Sequence, residues 1–256
     1  MTSFTRTAAA LILTAGIFTG TQAMAAEMTK EQVETIVQEY IMAHPDVIMK
    51  SVDDFQRKGM ASRQADALKQ NKDDLFKNER SPIIGKADGD VVIVEFFDYN
   101  CGYCKHAFTD LKALIDSDKN VKVIFKDFPI LGPTSETAAK WALAAQKQDK
   151  YFAYHQKLME HQGAITDDLL KQIAKDVGLD VAKAEKDAGS DEIKAQIDKN
   201  RSLAGQLSLN GTPAFIIGDE VVPGAMNKEA LAAKVAEARK AKAAAPAKKE
   251  DAPKKK

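Results

Sequence analysis

Two cysteines, Cys101 and Cys104, are the only cysteines among 256 residues, and two residues separate them. They follow the apolar stretch DVVIVEFFD and open a stretch with helical periodicity. Cys101 therefore lies at a predicted helix N-terminus, where unpaired N–H groups and the helix dipole stabilise a thiolate. Cys104 lies on the same helical face, within bonding reach. The spacing predicts a redox pair in which one cysteine attacks a disulfide and the other resolves the mixed disulfide.

A CxxC pair can also attach haem, bind a metal or form a structural disulfide. Haem attachment requires C-x-x-C-H, but Lys105 separates Cys104 from His106. A structural zinc site normally has four Cys or His ligands, and the sequence has no second CxxC. A structural disulfide would close a loop too short to stabilise much. Binding of Cu(I) by the thiolates of Cys101 and Cys104 stays open as an alternative; no other metal and no cofactor is expected.

Two charged residues interrupt predicted buried strands. Glu95 stands within the apolar run before the cysteines, and Lys126 takes a similar place in the next strand, VKVIFKDF. A buried carboxyl has a raised pKa and can carry the proton of Cys104, with Lys126 as its partner. The alternative is that both residues lie at strand ends and face water.

The segment NGTPAF places Pro213 at the start of an apolar strand. Proline cannot donate to a strand ladder, and bonds preceding proline are the peptide bonds that can be cis. In the cis form, Thr212 would present free backbone groups to an extended substrate chain.

The amino-acid composition and the N-terminal residues indicate which partners to expect and where the protein is located. Lys and Arg number 37 and so do Asp and Glu, which gives no indication of a nucleic-acid partner. Residues 1–26 have a short basic region, a short apolar region and small residues at the end, the pattern of a cleaved signal peptide rather than a membrane anchor. We therefore expect export to the periplasm, an oxidising compartment.

Residues 27–80 form a predicted N-terminal helical arm. Thr29 and Gln32 make a capping box, Pro45 starts a second helix, and Ser81-Pro82 ends it. The thin apolar stripe of these helices predicts self-association into a small bundle between chains; docking on the main domain and a solvated arm are the alternatives.

Residues 81–240 are predicted to be an α/β domain. The order is strand, helix, strand, several helices over about 133–207, a hairpin at Gly218-Asp219 and a final helix. This order suggests a small mixed sheet with helices on both faces. Residues 241–256 are rich in Ala, Pro and Lys and are predicted to be a disordered tail.

The succession of EFFDYN, CGYC, FKDFPILG, a helical insertion and GTPAFIIG resembles the DsbA-like branch of the thioredoxin superfamily. The resemblance covers about residues 81–240 and implies a thioredoxin fold. It further implies that Cys101 is the nucleophile and Cys104 the resolving thiol. Thr212-Pro213 would be the cis-proline substrate loop, and Glu95 with Lys126 the buried charged pair.

The sequence departs from the oxidase DsbA between the cysteines. Gly102-Tyr103, which is expected to contact substrate, is the dipeptide of the disulfide isomerase DsbC, and Thr212 also resembles isomerases. The arm is similar to that of suppressor-of-copper-sensitivity protein C (ScsC-like) isomerases, some of which are trimers. The resemblance therefore implies a disulfide isomerase that forms a homo-oligomer, a trimer by analogy, through residues 27–80.

The resemblance also implies partners. The substrates would be misfolded or wrongly disulfide-bonded exported proteins. Because an isomerase must keep Cys101 reduced in an oxidising compartment, a membrane thiol reductase of the DsbD or ScsB type is expected. A DsbA-like oxidase and a Cu(I)-binding copper-tolerance protein are the alternatives.

Overall fold

The computed structural model of the protein describes residues 28–77 and 80–244. The predicted signal peptide and the tail from residue 245 onward lie outside the described residues. The chain divides into two compact units between Phe55 and Gln56, earlier than the boundary predicted near residue 80. The difference arises because Leu68 and Leu75, which follow the division, pack in the core of the second unit.

Helices form the described part of the first unit, residues 28–55. Helix α1, Lys30–Ala43, begins at Thr29, and the reciprocal hydrogen bonds of Thr29 and Gln32 confirm the predicted capping box. Pro45 opens helix α2, Pro45–Gln70. The large apolar side chains of residues 28–55, the described part of this unit, are all at least 38% exposed, among them Val33, Val37 and Ile41. The predicted apolar stripe is therefore uncovered in a single chain.

The second unit contains the rest of α2 and thirteen further elements in its described part. Helix α2 continues through Gly59 and ends at Gln70, not at the predicted Ser81-Pro82. The elements that follow, in chain order, are α3 Lys72–Phe76, β1 Ile83–Gly85, β2 Val91–Phe97, α4 Gly102–Ser117, β3 Val121–Asp127 and α5 Pro133–Gln146. Next come α6 Tyr151–Glu160, α7 Asp167–Asp176, α8 Val181–Ala188, α9 Asp191–Gln206, β4 Ala214–Ile217, β5 Glu220–Pro223 and α10 Lys228–Ala244.

The five strands make one mixed sheet in the order β1-β3-β2-β4-β5. Strands β2 and β3 are parallel, and α4 forms the crossover that a parallel pair requires. Strand β4 pairs antiparallel with β2, and Gly218, with φ 62°, turns the chain into β5 as the hairpin signal predicted. This order sets the chain before β4 beside the chain that leaves β2.

Helices cover both faces of the sheet, which confirms the predicted α/β architecture. On one face, Ile93, Phe97 and Phe125 pack in a cluster that includes residues of α4 and the helices after Pro133. On the other face, Phe96 and Ile124 pack with residues of α2, α3 and α9. Strands buried on both faces explain why β2 and β3 are almost continuously apolar.

The two ends of the second unit differ from the expectation. Strand β1 was not predicted, because three residues, IIG, are too short for a pattern and pair only at the sheet edge with β3. Helix α10 continues to Ala244, past the tail boundary predicted at residue 241. None of the helices in the described ranges is both long and apolar enough to cross a bilayer.

Arg239 on α10 joins three parts of the second unit. Its guanidinium donates to both carboxylate oxygens of Asp90, at 2.6 and 2.8 Å, and to both of Asp118, at 2.8 and 3.2 Å. Asp90 precedes β2, and Asp118 caps the C-terminus of α4. Because α4 carries the cysteines at its other end, this cluster helps to fix the helix against the sheet.

Replacing Arg239 with alanine is expected to lower the unfolding free energy by about 1 kcal/mol, because partly exposed fork-shaped ion pairs contribute on that order. Arg239→Lys should recover only part of the loss, since one ammonium cannot reproduce four hydrogen bonds. Urea unfolding at low and at high salt measures the effect, which salt should reduce. Equal stability of the alanine variant and the parent would contradict this role.

Candidate active site

A short turn brings Cys101 from strand β2 to the start of α4. The carboxylate of Asp98 accepts a hydrogen bond from Asn100 N–H at 2.8 Å, and Asp98 O accepts from Cys101 N–H at 3.1 Å. Aspartate favours such turns because its side chain bonds to the backbone two residues on. The turn places Cys101 at the N-cap of α4, where its Sγ accepts from Cys104 N–H at 3.2 Å.

The two thiols are free and have opposite environments. The hydrogen bond from the Cys104 side chain lowers the pKa of Cys101 most, and hydrogen bonds with Thr212 and with backbone N–H groups of α4 add to this effect against burial. Burial, and then the hydrogen bond given to Cys101, raises the pKa of Cys104. The arrangement stabilises a thiolate at Cys101 and favours the protonated form of Cys104.

Thr212 and Pro213, the predicted substrate loop, lie beside Cys101. The peptide bond between them is cis, and Cys101 Sγ lies 3.3 Å from Thr212 O. They reach the site because β4 begins at Ala214 and pairs with β2, from which Cys101 emerges. The dipeptide between the cysteines is at the surface, and Tyr103 is 73% exposed.

Glu95 is buried beneath the cysteines. It pairs in register with Phe125 of β3 and Phe215 of β4, and neither of its carboxylate oxygens has a hydrogen-bond partner in the described part of the chain. Burial, and secondarily the charge of Cys101, raises the pKa of Glu95 to about 8. The Glu95 charge in turn raises the pKa of Cys104, so the two groups influence each other's protonation.

The predicted pairing of Glu95 with Lys126 is wrong. In the parallel register of β2 and β3, Glu95 aligns with Phe125, whereas Lys126 aligns with Phe96. Because alternate residues of a strand point to opposite faces, the two side chains lie on opposite sides of the sheet.

The Lys126 ammonium instead donates to Asp74 O and to Ser81 Oγ, both at 2.7 Å. Glu95 and Lys126 are both 0% exposed, so the alternative that they face water is wrong as well. Lys126 joins the α3 region to the sheet and lies away from the cysteines.

Buried polar residues near the site were missed by the sequence analysis. Tyr99 OH lies 2.9 Å from His155 Nδ1, and Tyr151 OH donates to Asp127 Oδ2 at 3.3 Å. Burial lowers the pKa of His155 to about 3 and raises that of Asp127 to about 8, so both are uncharged at neutral pH. The helical spacing of Phe152, His155 and Leu158 puts these three side chains on one apolar face of the helix. This pattern does not identify Tyr99 as the hydrogen-bond partner of His155.

Asp98 was also missed. Besides Asn100 N–H, its carboxylate accepts hydrogen bonds from the N–H groups of Ile130 and Leu131 at 2.8 and 2.9 Å. The sequence Asp98-Tyr99-Asn100 does predict an Asx-turn, in which the aspartate side chain accepts a hydrogen bond from the backbone two residues on. It does not predict that Asp98 also binds Ile130 and Leu131, because the tertiary structure brings the segment after β3 to Asp98. Across residues 28–77 and 80–244, no three His, Cys, Asp or Glu side chains are grouped as a metal site.

Two family descriptions match the chain. The DSBA-like thioredoxin domain matches residues 92–236, more than half of the chain, and includes both cysteines and the Thr212–Pro213 loop. The copper resistance protein ScsC N-terminal domain matches residues 30–60, which contain α1 and the first part of α2. The matches confirm the predicted thioredoxin fold and the kind of arm that precedes it.

Two solved structures are similar over nearly their whole length. A thioredoxin-like oxidoreductase from Silicibacter pomeroyi DSS-3 is 42% identical, with a TM-score of 0.65, over 66% of this chain and 98% of that chain. A linker-deletion mutant of Proteus mirabilis ScsC is 28% identical, with a TM-score of 0.67, over 85% of this chain and 99% of that chain.

Sequence relatives include a probable disulfide bond formation protein D from Bacillus cereus, 31% identical over 56% of this chain and 73% of that protein. The Na⁺/H⁺ antiporter NhaA 1 of Salinispora arenicola is 27% identical over 62% of this chain, but the chain spans only 25% of that relative. The chain belongs to the DSBA-like thioredoxin family of thiol–disulfide oxidoreductases and carries an ScsC-type N-terminal domain ahead of its catalytic domain.

Proposed function

We propose that the protein is a periplasmic protein disulfide isomerase that acts as a homo-oligomer. The observation that carries this proposal is the exposed apolar stripe of α1, which precedes a domain with a thiolate at a helix N-terminus. Association of such stripes would bring several Cys101 thiolates around one substrate. A periplasmic thioredoxin-like protein from Salmonella enterica serovar Typhimurium, 33% identical, supports the compartment.

The proposed reaction begins at Cys101. Its thiolate attacks one sulfur of a wrong substrate disulfide, a mixed disulfide forms, and the second substrate sulfur leaves as a thiolate. That thiolate attacks another substrate disulfide, and a thiolate released there attacks the mixed disulfide. Cys101 returns as a thiolate, and the exchange consumes no electrons overall.

Cys104 provides the escape from a stalled mixed disulfide. Its thiol must lose a proton before its sulfur can attack Cys101 Sγ. In our proposal the ionised form of Glu95 takes that proton, and this form is more populated in the mixed disulfide because the Cys101 charge that helps to raise the pKa of Glu95 is then absent. The substrate leaves with both sulfurs reduced, and Cys101 and Cys104 are left as a disulfide. Two electrons from a membrane thiol reductase of the DsbD or ScsB type restore the thiols.

Two other functions have some support. The lowered pKa of Cys101 stabilises the reduced pair, and the Bacillus relatives are named for disulfide bond formation, which favours a DsbA-like oxidase. An oxidase would be purified with the disulfide formed and would not reactivate a scrambled substrate. The copper resistance description of the N-terminal match favours Cu(I) binding by the two thiolates, with stoichiometric binding and little turnover.

Alkylation of the reduced protein by iodoacetamide tests the thiolate at Cys101. The rate should reach half its maximum near the pKa of Cys101, about 6, because only the thiolate reacts. Peptide mass spectrometry should place the label on Cys101 and not on Cys104, and Cys101→Ser should abolish both labelling and disulfide exchange. A midpoint above about pH 8, the range of an ordinary cysteine, would show that the site does not stabilise the thiolate.

Glu95→Gln is expected to stabilise the reduced protein increasingly as pH rises. Between the ordinary pKa of 4.5 and the folded value of about 8, the unfolded chain releases this proton and the folded chain keeps it. The wild-type unfolding free energy therefore falls with rising pH through this window, and the gain from Glu95→Gln should be roughly 4 kcal/mol near pH 7.5 and close to zero near pH 4.5. Urea unfolding at the two pH values measures it.

Glu136→Gln is the matched control. Hydrogen bonds from Lys140 and then Arg201 lower the pKa of Glu136 to about 2, so its loss should destabilise the protein at neutral pH.

In addition, Glu95→Gln should prolong the mixed disulfide with a substrate peptide, because Cys104 loses its proton acceptor. A stability gain that does not depend on pH would argue against a buried, protonated Glu95.

Val37→Glu tests whether association of the arm makes the isomerase. The added charge should dissociate the oligomer into monomers, which sedimentation experiments would detect. The variant should no longer reactivate scrambled ribonuclease but should still reduce a small disulfide. Thr35→Glu is the control, because it adds the same charge on the opposite side of α1 from Val33 and Val37. Point variants are preferable to removal of residues up to Ser81, which would take Leu68 and Leu75 from the core. A monomeric Val37→Glu that still reactivates ribonuclease would refute the proposal.

A further inference from the structure

An asparagine–glycine pair stands directly before the loop that faces Cys101. Asn210-Gly211 precedes Thr212, and no other asparagine of the chain is followed by glycine. Both residues of the pair are exposed and belong to neither a helix nor a strand. An asparagine in this position readily loses its side-chain amide, because glycine has no Cβ and its backbone nitrogen can approach the preceding side chain.

The reacting groups of this pair are unhindered. Neither the side-chain amide of Asn210 nor the N–H of Gly211 has a hydrogen-bond partner in residues 28–77 and 80–244. A methyl group at Gly211 would have no atom within 4 Å. By contrast, the side chains of Asn100 and Asn227 make hydrogen bonds with neighbouring residues. Asn210 is therefore better placed to react than either of these.

The segment that contains the pair is short and is held at both ends. Leu209 is buried, and its N–H donates to Ala204 O at 2.9 Å. At the other end, Pro213 O accepts a hydrogen bond from Gly224 N–H at 2.9 Å. Only residues 210–212 join these two fixed points. An additional backbone atom between them must therefore be accommodated by these three residues, of which Thr212 is one.

We propose that Asn210 is a site of spontaneous deamidation, and that its isoaspartate product moves Thr212 relative to Cys101 and so weakens the thiolate as the protein ages. The backbone nitrogen of Gly211 attacks Asn210 Cγ and forms a C–N bond. The bond from Cγ to the side-chain nitrogen breaks, and that nitrogen leaves as ammonia with the proton of Gly211 N–H. The product is a five-membered succinimide ring.

Water then opens the ring at one of its two carbonyl groups. Opening at Cγ gives aspartate, and opening at the main-chain carbonyl gives isoaspartate. The backbone of isoaspartate runs through Cβ and Cγ and is one atom longer than before. The whole reaction consumes one water molecule, releases one ammonia and transfers no electrons.

The longer segment should act on the thiolate through Thr212. Cys101 Sγ lies 3.3 Å from Thr212 O. The hydrogen bond from Cys104 lowers the pKa of Cys101 most, and a hydrogen bond with Thr212 also lowers it, against the effect of burial. Displacement of Thr212 removes part of this stabilisation, and the new carboxylate adds a negative charge to the same segment. Both changes raise the pKa of Cys101, whether the protein is an isomerase or an oxidase.

The test ages the reduced protein in mildly alkaline buffer without oxygen and separates the deamidated forms by ion exchange. An isoaspartyl carboxyl methyltransferase should methylate the aged protein, and peptide mass spectrometry should place isoaspartate at residue 210 and not at Asn227. In this form, the midpoint of Cys101 alkylation by iodoacetamide should rise by about one pH unit from its value of about 6. Labelling near pH 6 should therefore be roughly fivefold slower than in the fresh protein.

Three variants separate the causes. Gly211→Ala should release ammonia about tenfold more slowly, because the added methyl group restricts the backbone that ring closure needs, and the aged variant should keep its alkylation profile. Asn210→Gln, which would have to form a larger ring, provides the same control if Gly211→Ala does not fold. Asn210→Asp adds the charge without the additional backbone atom and should raise the midpoint less than isoaspartate does.

Three results would overturn the inference. These are an aged protein without isoaspartate at residue 210, an isoaspartate form that is alkylated like the fresh protein, and an Asn210→Asp variant with the full shift of the midpoint. Failure of the fresh protein to reactivate scrambled ribonuclease would instead refute only the isomerase proposal, because the alkylation of Cys101 does not depend on that activity.

Discussion

The hydrogen bond from Cys104 N–H to Cys101 Sγ, in the first turn of α4, is the interaction on which the site depends. It exists because strand β2 ends at Phe97 and a turn closed by Asp98 delivers Cys101 to the N-cap of the helix. A sulfur at this position faces unpaired N–H groups, and so its negative charge is stabilised.

One buried residue near this thiolate lowers the stability of the fold. Glu95 is buried between the side chains of neighbouring strands with no hydrogen-bond partner in the described ranges, a position that a stable core would fill with an apolar residue. Such exceptions in native cores are concentrated where chemistry needs them. A carboxyl whose pKa lies near neutral pH can exchange a proton with Cys104, which an apolar residue cannot do.

The cysteine pair lies in the second unit, whereas the proposed self-association depends on the arm. The catalytic unit has its own core and includes the second half of α2, whereas the large apolar side chains of residues 28–55 are exposed. A single thiolate is enough to attack a disulfide. The proposed shuffling of several disulfides in one substrate gains from more than one thiolate, because linked sites act at a raised effective concentration.

The local features of the protein follow from the sequence alone. The CGYC pair at a helix start, the capping box at Thr29, the buried strands and the hairpin at Gly218 are all set by residues close in the chain, and so they could be predicted from pattern alone. The resemblance to the DsbA-like family likewise rested on short motifs in a fixed order.

The contacts between distant segments depend on the tertiary structure. Glu95 and Lys126 look equivalent in sequence, but the register of β2 and β3 directs them to opposite faces of the sheet. Asp98 and His155 acquire their partners from residues more than 30 positions away, and no local pattern specifies those contacts. A periodic sequence shows that a side chain is buried; which side chain it meets depends on strand order, register and the packing of helices from elsewhere in the chain.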